Sequence, residues 1–266
     1  MKLIFLGYCS NSFSEINTVS FLLKYNDYYS IFDCGANSTT NLHKYVKNFS
    51  TVKNVFISHS HFDHFLGLPY FIIGRHLDII ARRKKEQDYV PEPLHIYLPE
   101  GLENIVNLLI EKCHSDVKKL SFELIYHTLR EGEIYNKDYV VNAFNVNHTV
   151  KTFGFTISLN GEKLIGYSAD TLYNDTIVNI LKGNKVLILE GMVPNEEIVF
   201  STNSKHATFE QMCEVIKSTN STKTFIVHLQ PRYLSKRNEI INNLKQQLQG
   251  EVDFPSIGEE YDVLCL

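Results

Sequence analysis

The chain has 266 residues, with 44% hydrophobic and 21% charged side chains, and 30 acidic against 26 basic residues give a formal net charge of −4. This composition excludes collagen-like and Pro/Gly-rich disordered chains, and the acidic balance argues against binding nucleic acid through an overall positive field. No apolar run approaches the roughly 20 residues needed to cross a bilayer, so we expect no membrane association.

The cysteines indicate a reducing compartment. They are odd in number, scattered and without a Cys-x-x-Cys pair, which does not suit a disulfide framework: Cys9, Cys34, Cys113, Cys213 and Cys265. The opening residues 1–7 contain a lysine and a short apolar stretch, but the stretch is too short for a signal peptide and is better interpreted as a strand. We therefore expect a cytoplasmic protein.

The first half alternates short β-branched and aromatic runs with helical patterns. Asn26 and Asp27 are predicted to form the turn of a hairpin. The predicted strands cover residues 3–6, 18–25, 28–33, 55–57 and 94–98. The predicted helices cover residues 42–49, 65–83 and 101–113.

The second half shows the same alternation of predicted strands and helices, although no sequence repeat can be demonstrated. Its predicted strands cover residues 120–126, 139–145, 153–159, 163–166, 186–189 and 224–227. Its predicted helices cover residues 176–181, 208–217 and 232–249. Two sheets packed between outer helices would satisfy this α/β pattern. No linker-like segment divides the chain, so residues 1–266 are predicted to form one domain.

The most informative segment holds three imidazoles and one carboxylate within six residues: His59, His61, Asp63 and His64. It follows a predicted strand, and extended-chain alternation would point His59, His61 and Asp63 the same way. Imidazole and carboxylate are the ligands that zinc and similar divalent ions take when no thiolate is available. Four such groups exceed what one tetrahedral ion takes from so short a stretch, so we expect two adjacent ions, each completed by distant residues.

The completing residues are expected just past apolar runs in the second half. His148, Asp170 and His228 each follow such a run, where the backbone leaves the core and side chains can meet at a common mouth. Together with the dense cluster, they predict a metal centre built from both halves of the chain.

With these residues the chain resembles the metallo-β-lactamase superfamily over about residues 1–233. The match consists of the His59-x-His61-x-Asp63-His64 box, Asp33 upstream, and His148, Asp170 and His228 in the superfamily's order. The resemblance implies a four-layer αβ/βα sandwich. It implies one ion on His59, His61, His148 and Asp170, and another on Asp63, His64, His228 and the shared Asp170. Asp33 would orient a ligand histidine.

Further motifs are similar to the ribonuclease Z branch, the tRNA 3′-end endonucleases. They are Leu189-Glu190-Gly191, the stretch Lys205-His206-Ala207-Thr208, and His228-Leu229-Gln230-Pro231-Arg232-Tyr233. By this resemblance His206 is the general acid that protonates the leaving oxygen, and Glu190 holds it as imidazolium. Asp63 would serve catalysis as well as metal binding.

Charge arithmetic favours an anionic substrate. Two divalent cations carry about four positive charges, of which Asp63, Asp170 and one hydroxide cancel about three. The remaining positive charge suits a phosphate ester. Zn²⁺ is the expected ion, with Mn²⁺ as the alternative.

The chain departs from the ribonuclease Z branch where that branch carries a long flexible arm for tRNA. Asp170 lies only twenty-two positions after His148, and two predicted strands fill this interval. The one dense basic run, Arg82-Arg83-Lys84-Lys85, suits a solvated helix end. The chain is therefore similar to the armless phage anti-Pycsar proteins, which implies hydrolysis of cyclic mononucleotides to nucleoside monophosphates, suppression of cyclic-nucleotide anti-phage signalling, and a homodimer in the host cytoplasm. No long nucleic acid partner is expected.

Three mouth residues are candidates for substrate contact: Tyr8, Asn11 and Arg232. The alternatives that remain open are a tRNA 3′ endonuclease with a substitute recognition surface, thioester or lactone hydrolysis on the same scaffold, and a binding module that sequesters nucleotides without turnover.

Overall fold

The two expected sheets are present, and each is a mixed sheet. The computed structural model describes residues 1–11, 14–135, 138–248 and 250–266, with Tyr135 described by its backbone alone. The strands are β1 (Lys2–Gly7), β2 (Ser20–Tyr25), β3 (Tyr28–Phe32), β4 (Val52–Phe56), β5 (Leu94–Leu98), β6 (Leu124–Thr128), β7 (Gly132–Tyr135), β8 (Val140–Asn145), β9 (Phe153–Leu159), β10 (Glu162–Tyr167), β11 (Val186–Glu190), β12 (Lys223–Val227), β13 (Glu251–Asp253) and β14 (Glu260–Asp262).

The helices lie between these strands. They are α1 (Ser38–Tyr45), α2 (Phe62–Phe65), α3 (Gly67–Arg83), α4 (Leu102–Cys113), α5 (Asp175–Leu181), α6 (Ile198–Ser204), α7 (Phe209–Thr219) and α8 (Arg237–Lys245). Short 3₁₀ turns cover Phe49–Thr51, Asn195–Glu197 and Pro231–Lys236. In the described ranges, no helix is both long enough and apolar enough to cross a membrane.

Within the described residues, one seven-stranded sheet has the order β14-β1-β2-β3-β4-β5-β6 and the other has the order β13-β12-β11-β10-β9-β8-β7. Side chains alternate between the two faces of β1: Leu3 and Phe5 join the core between the sheets, and Ile4 and Leu6 join the core under the helices. Such a strand is buried on both faces, as a four-layer sandwich requires. The predicted fold class is confirmed.

Aromatic rings join the two sheets. Phe155 of β9 lies 5.7 Å from Phe32 of β3 and 5.8 Å from Phe56 of β4, measured between ring centroids. Phe5 of β1 lies 4.9 Å from Phe225 of β12. Edge-to-face and tilted contacts at these separations are the favourable arrangements for aromatic pairs.

Parallel pairing brings the ends of several strands to one edge of the sandwich. β3 and β4 run parallel in the first sheet, and β10, β11 and β12 run parallel in the second. Because carboxyl ends of parallel strands share an edge, the loops that follow them meet there. A hydrogen bond from Phe153 N–H to the carbonyl of Ser58 (3.0 Å) ties the two sheets together at this edge.

Most long elements lie where the sequence predicts them. The hairpin turn is confirmed, with Tyr25 paired to Tyr28 and Asn26 at a φ of 53°. The two strands predicted between His148 and Asp170 are confirmed as β9 and β10.

Some bounds differ for physical reasons. The helix predicted over 42–49 is instead α1, which starts at Ser38, because Val46 is already extended and Asn48 caps a separate 3₁₀ turn. The strand predicted from 120 starts at 124, since Ser121 is bonded to His76 of α3. The helix predicted over 232–249 is divided into a 3₁₀ turn and α8, and Gln249 lies outside the described residues.

Candidate active site

Every side chain predicted to bind metal lies in one connected group at this edge. The potential ligand atoms lie within 4.8 Å of one another in each of three overlapping sets. The sets are His59, His61, His148 and Asp170; Asp63, His64 and His228; and Asp170, Glu190, His206 and His228. The first set is the ligand group implied for one ion, and the second, with Asp170, is the group implied for the other.

Backbone turns at the strand ends aim these residues inward. Asp33, Ala169 and His228 have φ values of 56°, 51° and 64°, and each lies at or near the end of a strand. Non-glycine residues rarely adopt this left-handed conformation, and it concentrates at functional sites where the surroundings hold it.

The short helix α2 corrects one expectation. His61 is extended, with φ −71° and ψ 145°, but helix begins at the next residue. Asp63 therefore does not continue an extended alternation. It lies on the first turn of α2, with its Oδ2 at 3.4 Å from Nε2 of His228.

Unpartnered buried atoms test whether cations fit this group. Oδ2 of Asp170 lies 3.5, 3.2 and 3.0 Å from Nε2 of His59, His64 and His228. All four atoms are buried and lack a hydrogen-bond partner in the described part of the chain, which native structures rarely allow. Nitrogen and carboxylate oxygen converging in this way suit a divalent ion, and the shared Asp170 suits two.

Hydrogen bonds behind the histidines fix their tautomers. The Ser58 hydroxyl donates to Asp33 (2.9 Å) and so accepts from Nδ1–H of His59 (2.9 Å). Nδ1–H of His64 donates to Asp33 (2.9 Å), and Nδ1–H of His148 donates to the carbonyl of Lys205 (3.1 Å). In all three rings Nε2 is therefore the nitrogen that faces the cluster and can bind a cation.

Asp33 is the centre of this support. Besides His64 and the Ser58 hydroxyl, it accepts a hydrogen bond from the Ser58 N–H (2.7 Å) and one from the Tyr167 hydroxyl (2.6 Å). All four residues are almost fully buried. The structure thus places Asp33 against His64, one of the predicted ligand histidines.

The histidines of the cluster have pKa values shifted in opposite directions. Burial and the neighbouring His64 hold the pKa of His59 well below its usual value. Burial also disfavours charge on His64 and His228, but nearby carboxylates, Asp170 foremost, outweigh it and hold both pKa values well above the usual range. Bound cations would take the place of those protons.

Glu190 and His206 form a buried pair beside the metal residues. Oε1 of Glu190 accepts from Nδ1–H of His206, and Oε2 accepts from the N–H of Thr171. Burial alone would raise the pKa of Glu190, yet His206 lowers it overall. The His206 ring lies 4.8 Å from that of His228 and 4.9 Å from that of His148, so it borders both ligand sets.

Local structure explains the position of His206. Thr208 begins α7 with a capping box, in which its side chain accepts from Gln211 N–H and the Gln211 side chain accepts from Thr208 N–H. His206 N–H is bonded to the carbonyl of Ser201 in α6 (2.9 Å). The Lys205 ammonium donates to the carbonyl of His148 (3.1 Å).

The three candidate substrate residues have different surroundings. Asn11 is half-buried in the loop after β1. Arg232 is 56% exposed and paired with Glu197, which also accepts from the Tyr233 hydroxyl. Tyr8 is buried and stacks on Phe254, so its side chain lines a separate cavity that none of the predicted metal residues borders.

Sequence reasoning missed the supporting residues Ser58, Tyr167 and Lys205. Ser58 directly precedes the metal box and Lys205 directly precedes His206, so proximity to the motifs was a usable signal. Tyr167 carries no such signal, because its role depends on β10 packing against β3.

Comparisons with known proteins show the family and the fold. A model of the family described as Anti-Pycsar protein Apyc1 matches residues 1–249. Ribonuclease Z of Pyrococcus horikoshii is 27% identical over 271 residues, covering 84% of this chain and 83% of that protein, and ribonuclease Z of Myxococcus xanthus is 22% identical over 273 residues, covering 84% of each. The human short-form tRNase Z structure superposes with a TM-score of 0.79 at 21% identity, covering 99% of both chains.

Fold, site and relatives together define the class. The chain is a metal-dependent hydrolase of the metallo-β-lactamase fold, ribonuclease Z-like, with a phosphodiesterase-type function. Neighbours of this fold imply a di-metal site, for which the His/Asp cluster is the candidate. Because the family model covers most of the sequence, the chain belongs to the Anti-Pycsar protein Apyc1 family.

Proposed function

We propose that the protein hydrolyses 3′,5′-cyclic mononucleotides to nucleoside monophosphates and so suppresses cyclic-nucleotide anti-phage signalling. The observation that carries the proposal is the family match over residues 1–249 together with the β9–β10 hairpin, which fills the interval where tRNA endonucleases of this fold carry an arm. The reaction is proposed for the cytoplasm, that of a host cell if the protein is virus-encoded.

The seven predicted ligands would hold two divalent ions, Zn²⁺ or Mn²⁺, which supply positive charge for the phosphate and lower the pKa of water. The chain's own residues would bind the two ions and orient the ligands. His59, His61 and His148 face one position, Asp63, His64 and His228 face the other, and Asp170 faces both. The hydrogen bond from His64 to Asp33 fixes the orientation of the His64 ring.

His206 is proposed to donate the proton to the leaving ribose oxygen. Its Nδ1 is occupied by Glu190, so Nε2 is the nitrogen available to substrate. The pair sits beside both ligand sets, within reach of a phosphodiester bound between them. Glu190 is fully buried, and His206 lowers its pKa, so its carboxylate holds the His206 ring in place by a hydrogen bond.

Cleavage of precursor tRNA is the second candidate. It is favoured by the ribonuclease Z relatives, which span 84% of this chain. Such a substrate would have to be held without an arm and by a chain of net charge −4, although phosphate contacts normally supply most of the affinity for nucleic acid.

The deciding experiment incubates Zn²⁺- or Mn²⁺-loaded protein with cyclic mononucleotides, cyclic dinucleotides and precursor tRNA. We expect ring opening of a cyclic mononucleotide with the tRNA intact. Cleavage of precursor tRNA alone would overturn the proposal in favour of the second candidate. Binding of cyclic nucleotides without any product would instead identify a sequestering module.

We also propose that the protein is a homodimer through the outer face of α2 and α3. Phe62, Tyr70 and Leu77 are 69%, 69% and 57% exposed, and Leu66 lies between them on the same stripe. A second copy would cover this apolar stripe with its own, as a twofold contact requires. Sedimentation analysis should show a dimer that Tyr70→Glu dissociates, whereas a monomeric wild type would contradict it.

A further inference from the structure

Lys205 ends α6 in a backbone conformation that favours glycine. Its φ and ψ are 55° and 48°, in the left-handed region. Helices often end on such a residue, but it is usually glycine and sometimes asparagine, because other side chains are crowded there. α7 follows this preference and ends on Asn220 in the same conformation. A lysine here strains the backbone, and strain of this kind concentrates at functional sites where the surroundings hold it.

The side chain of Lys205 turns back onto the loop after β8. Its ammonium donates to the carbonyl of His148 (3.1 Å), a residue 57 positions away in the sequence. Lys205 is half-buried, so this hydrogen bond is partly shielded from water. The lysine side chain therefore holds the main chain of a residue whose ring is predicted to bind metal.

The same two residues share a second hydrogen bond in the opposite direction. Nδ1–H of His148 donates to the carbonyl of Lys205 (3.1 Å). Nε2 of His148 lies 3.3 Å from Nδ1 of His61, and both belong to the ligand set of one predicted ion. The Lys205 carbonyl orients the His148 ring and the Lys205 ammonium holds the His148 main chain, so one residue fixes this ligand at two points.

The carbonyl of Lys205 belongs to the peptide group that leads into His206. A peptide group is planar, so hydrogen bonds at its two ends fix its orientation. Its carbonyl accepts from His148, and its N–H, that of His206, donates to the carbonyl of Ser201 (2.9 Å). The rings of His148 and His206 lie 4.9 Å apart. The metal ligand and the candidate proton donor are thus joined through one rigid group.

We propose that Lys205 is a positioning residue that couples the metal ligand His148 to the proton donor His206. The proposal rests on the roles proposed above for these two histidines. Without the ammonium, the main chain at His148 is held less firmly, and the bond from its ring to the Lys205 carbonyl weakens. The peptide group shared with His206 can then turn, so metal binding and proton donation deteriorate together.

A purely structural role for Lys205 predicts a different pattern. Lys205→Gly deletes the ammonium but keeps the carbonyl that accepts from His148, and glycine adopts the left-handed conformation without strain. If the lysine served only to end α6, this variant would be at least as stable as the wild type and would bind metal normally. If the ammonium positions His148, the variant keeps its stability but binds metal less tightly.

The test measures metal affinity by competition with a chromophoric chelator, which needs no substrate. Lys205→Gly and Lys205→Met should each weaken the binding of one of the two ions by about tenfold or more, the usual effect of losing a group that holds a ligand in orientation. Lys205→Arg, which keeps a donor for the carbonyl, should retain most of the affinity. The urea midpoint of metal-free Lys205→Gly should equal or exceed that of the wild type.

Lys185→Met is the matched control. Lys185 is also half-buried, and its ammonium also donates to a backbone carbonyl, that of Leu264 (3.0 Å). It precedes β11, at the end of that strand opposite Glu190, so its metal affinity should equal that of the wild type. An equal loss of affinity in Lys185→Met would overturn the proposal. Wild-type affinity in both Lys205→Gly and Lys205→Met would also overturn it.

Turnover at saturating metal tests the link to His206. Lys205→Met should lose more activity on a cyclic nucleotide than on bis(p-nitrophenyl) phosphate, because the leaving group of the second substrate needs no proton. An equal loss on the two substrates would overturn the coupling. A wild type that binds two ions but opens no cyclic nucleotide would contradict the proposed function alone, since the metal affinities would still decide the role of Lys205.

Discussion

At the level of single residues, the hydroxyl of Tyr167 offers a direct test of how the ligand histidines are held. It donates to Asp33, which in turn accepts from His64 and Ser58 in a fully buried setting. Residues that hold metal ligands in orientation typically change metal affinity by about 10–100-fold when altered. We therefore expect the hydroxyl to influence metal affinity although we do not expect it to touch the ions.

Tyr167→Phe should weaken metal binding by about tenfold or more, because Asp33 loses one of its donors and holds His64 less firmly. Competition with a chromophoric chelator measures this affinity. Tyr139→Phe is the matched control: it also removes a buried hydroxyl, bonded to Ser30 at 2.5 Å and outside the site. Equal metal affinity of Tyr167→Phe and wild type would contradict the role given to Asp33.

His206→Ala should lower turnover of a cyclic nucleotide by about 10²–10⁴-fold, the usual contribution of a general acid. Hydrolysis of a bis(p-nitrophenyl) phosphate should fall much less, since its leaving group needs no proton. Steady-state rates on both substrates and metal content by mass spectrometry are the measurements. His43→Ala, an exposed histidine on α1, serves as the control.

A parallel loss of turnover and metal in His206→Ala would remove the general-acid assignment. An equal loss on the two substrates would also remove it. Glu190→Gln should reproduce the leaving-group dependence in weaker form, because His206 keeps its ring but loses the charge behind it.

At the scale of elements, the metal box depends on the close approach of α2 to the turn after β3. Cys34 N–H donates to the carbonyl of His64 (2.7 Å), and Gly67 N–H donates to the carbonyl of Cys34 (2.8 Å). A Cβ on Gly35 would lie 1.9 Å from the carbonyl oxygen of Asp63 and 2.0 Å from Thr18 Oγ1. Only glycine fits between these elements.

Gly35→Ala should therefore destabilise the fold by about 1–3 kcal/mol or more. It should also displace Asp63, because the added methyl group would push against the Asp63 backbone and so move the metal box. Gly74→Ala within α3 is the control: its Cβ would meet Phe49 at an ordinary 3.6 Å, and removing a helical glycine should stabilise by about 0.5–1 kcal/mol. Urea denaturation gives both values. Wild-type stability of Gly35→Ala would contradict the packing described.

Element length largely decides what could be predicted from the sequence. Strands and helices with a repeated apolar pattern, such as β9 and α3, are predictable from that pattern alone. β13 and β14 have three residues each, too few for a pattern, and they exist because β12 and β1 offer them an edge. α6 was missed because Ser201, Thr202, Asn203 and Ser204 are weak helix formers that tertiary contacts hold in place.

The site residues, too, are predictable only where they form a recognisable pattern. Its candidate ligands can be picked out of the sequence because metal chemistry restricts them to a few residue types in a dense motif. Ser58 and Tyr167 are not, since serine and tyrosine have many roles and their contacts appear only when the two sheets meet.

At the scale of the whole molecule, we propose that residues 1–266 unfold as one unit. The core between the sheets includes Leu3, Phe155 and Val263, so it draws on both halves and both ends of the chain. Thermal unfolding should show a single transition with matching calorimetric and van't Hoff enthalpies. Two separable transitions would contradict the proposal.

Removing the cations should lower the melting temperature. Asp63 and Asp170 lie among imidazoles whose buried ligand atoms lack hydrogen-bond partners in the described residues, so the metal-free site is left unsatisfied. With free ion at about a hundredfold excess over Kd, binding contributes about 2.7 kcal/mol, which corresponds to a shift of about 5–10 °C. Differential scanning calorimetry with and without chelator measures this shift.

His148→Ala should show a smaller shift on chelation, because it lacks one ligand, while His206→Ala should respond as the wild type does. Restoration of the melting temperature on adding Zn²⁺ shows that the effect is specific. An unchanged melting temperature in protein proven metal-free would exclude a stabilising role for the ions.

The pairing of β14 with β1 has a consequence for synthesis on the ribosome. Lys2 lies opposite Asp262, so β1 emerges from the ribosome long before the strand it pairs with. Contacts this distant in sequence slow folding, and until they form, β1 offers an unpaired apolar edge to neighbouring nascent chains. Deleting residues 260–266 should therefore lead first to inclusion bodies rather than to an inactive soluble product.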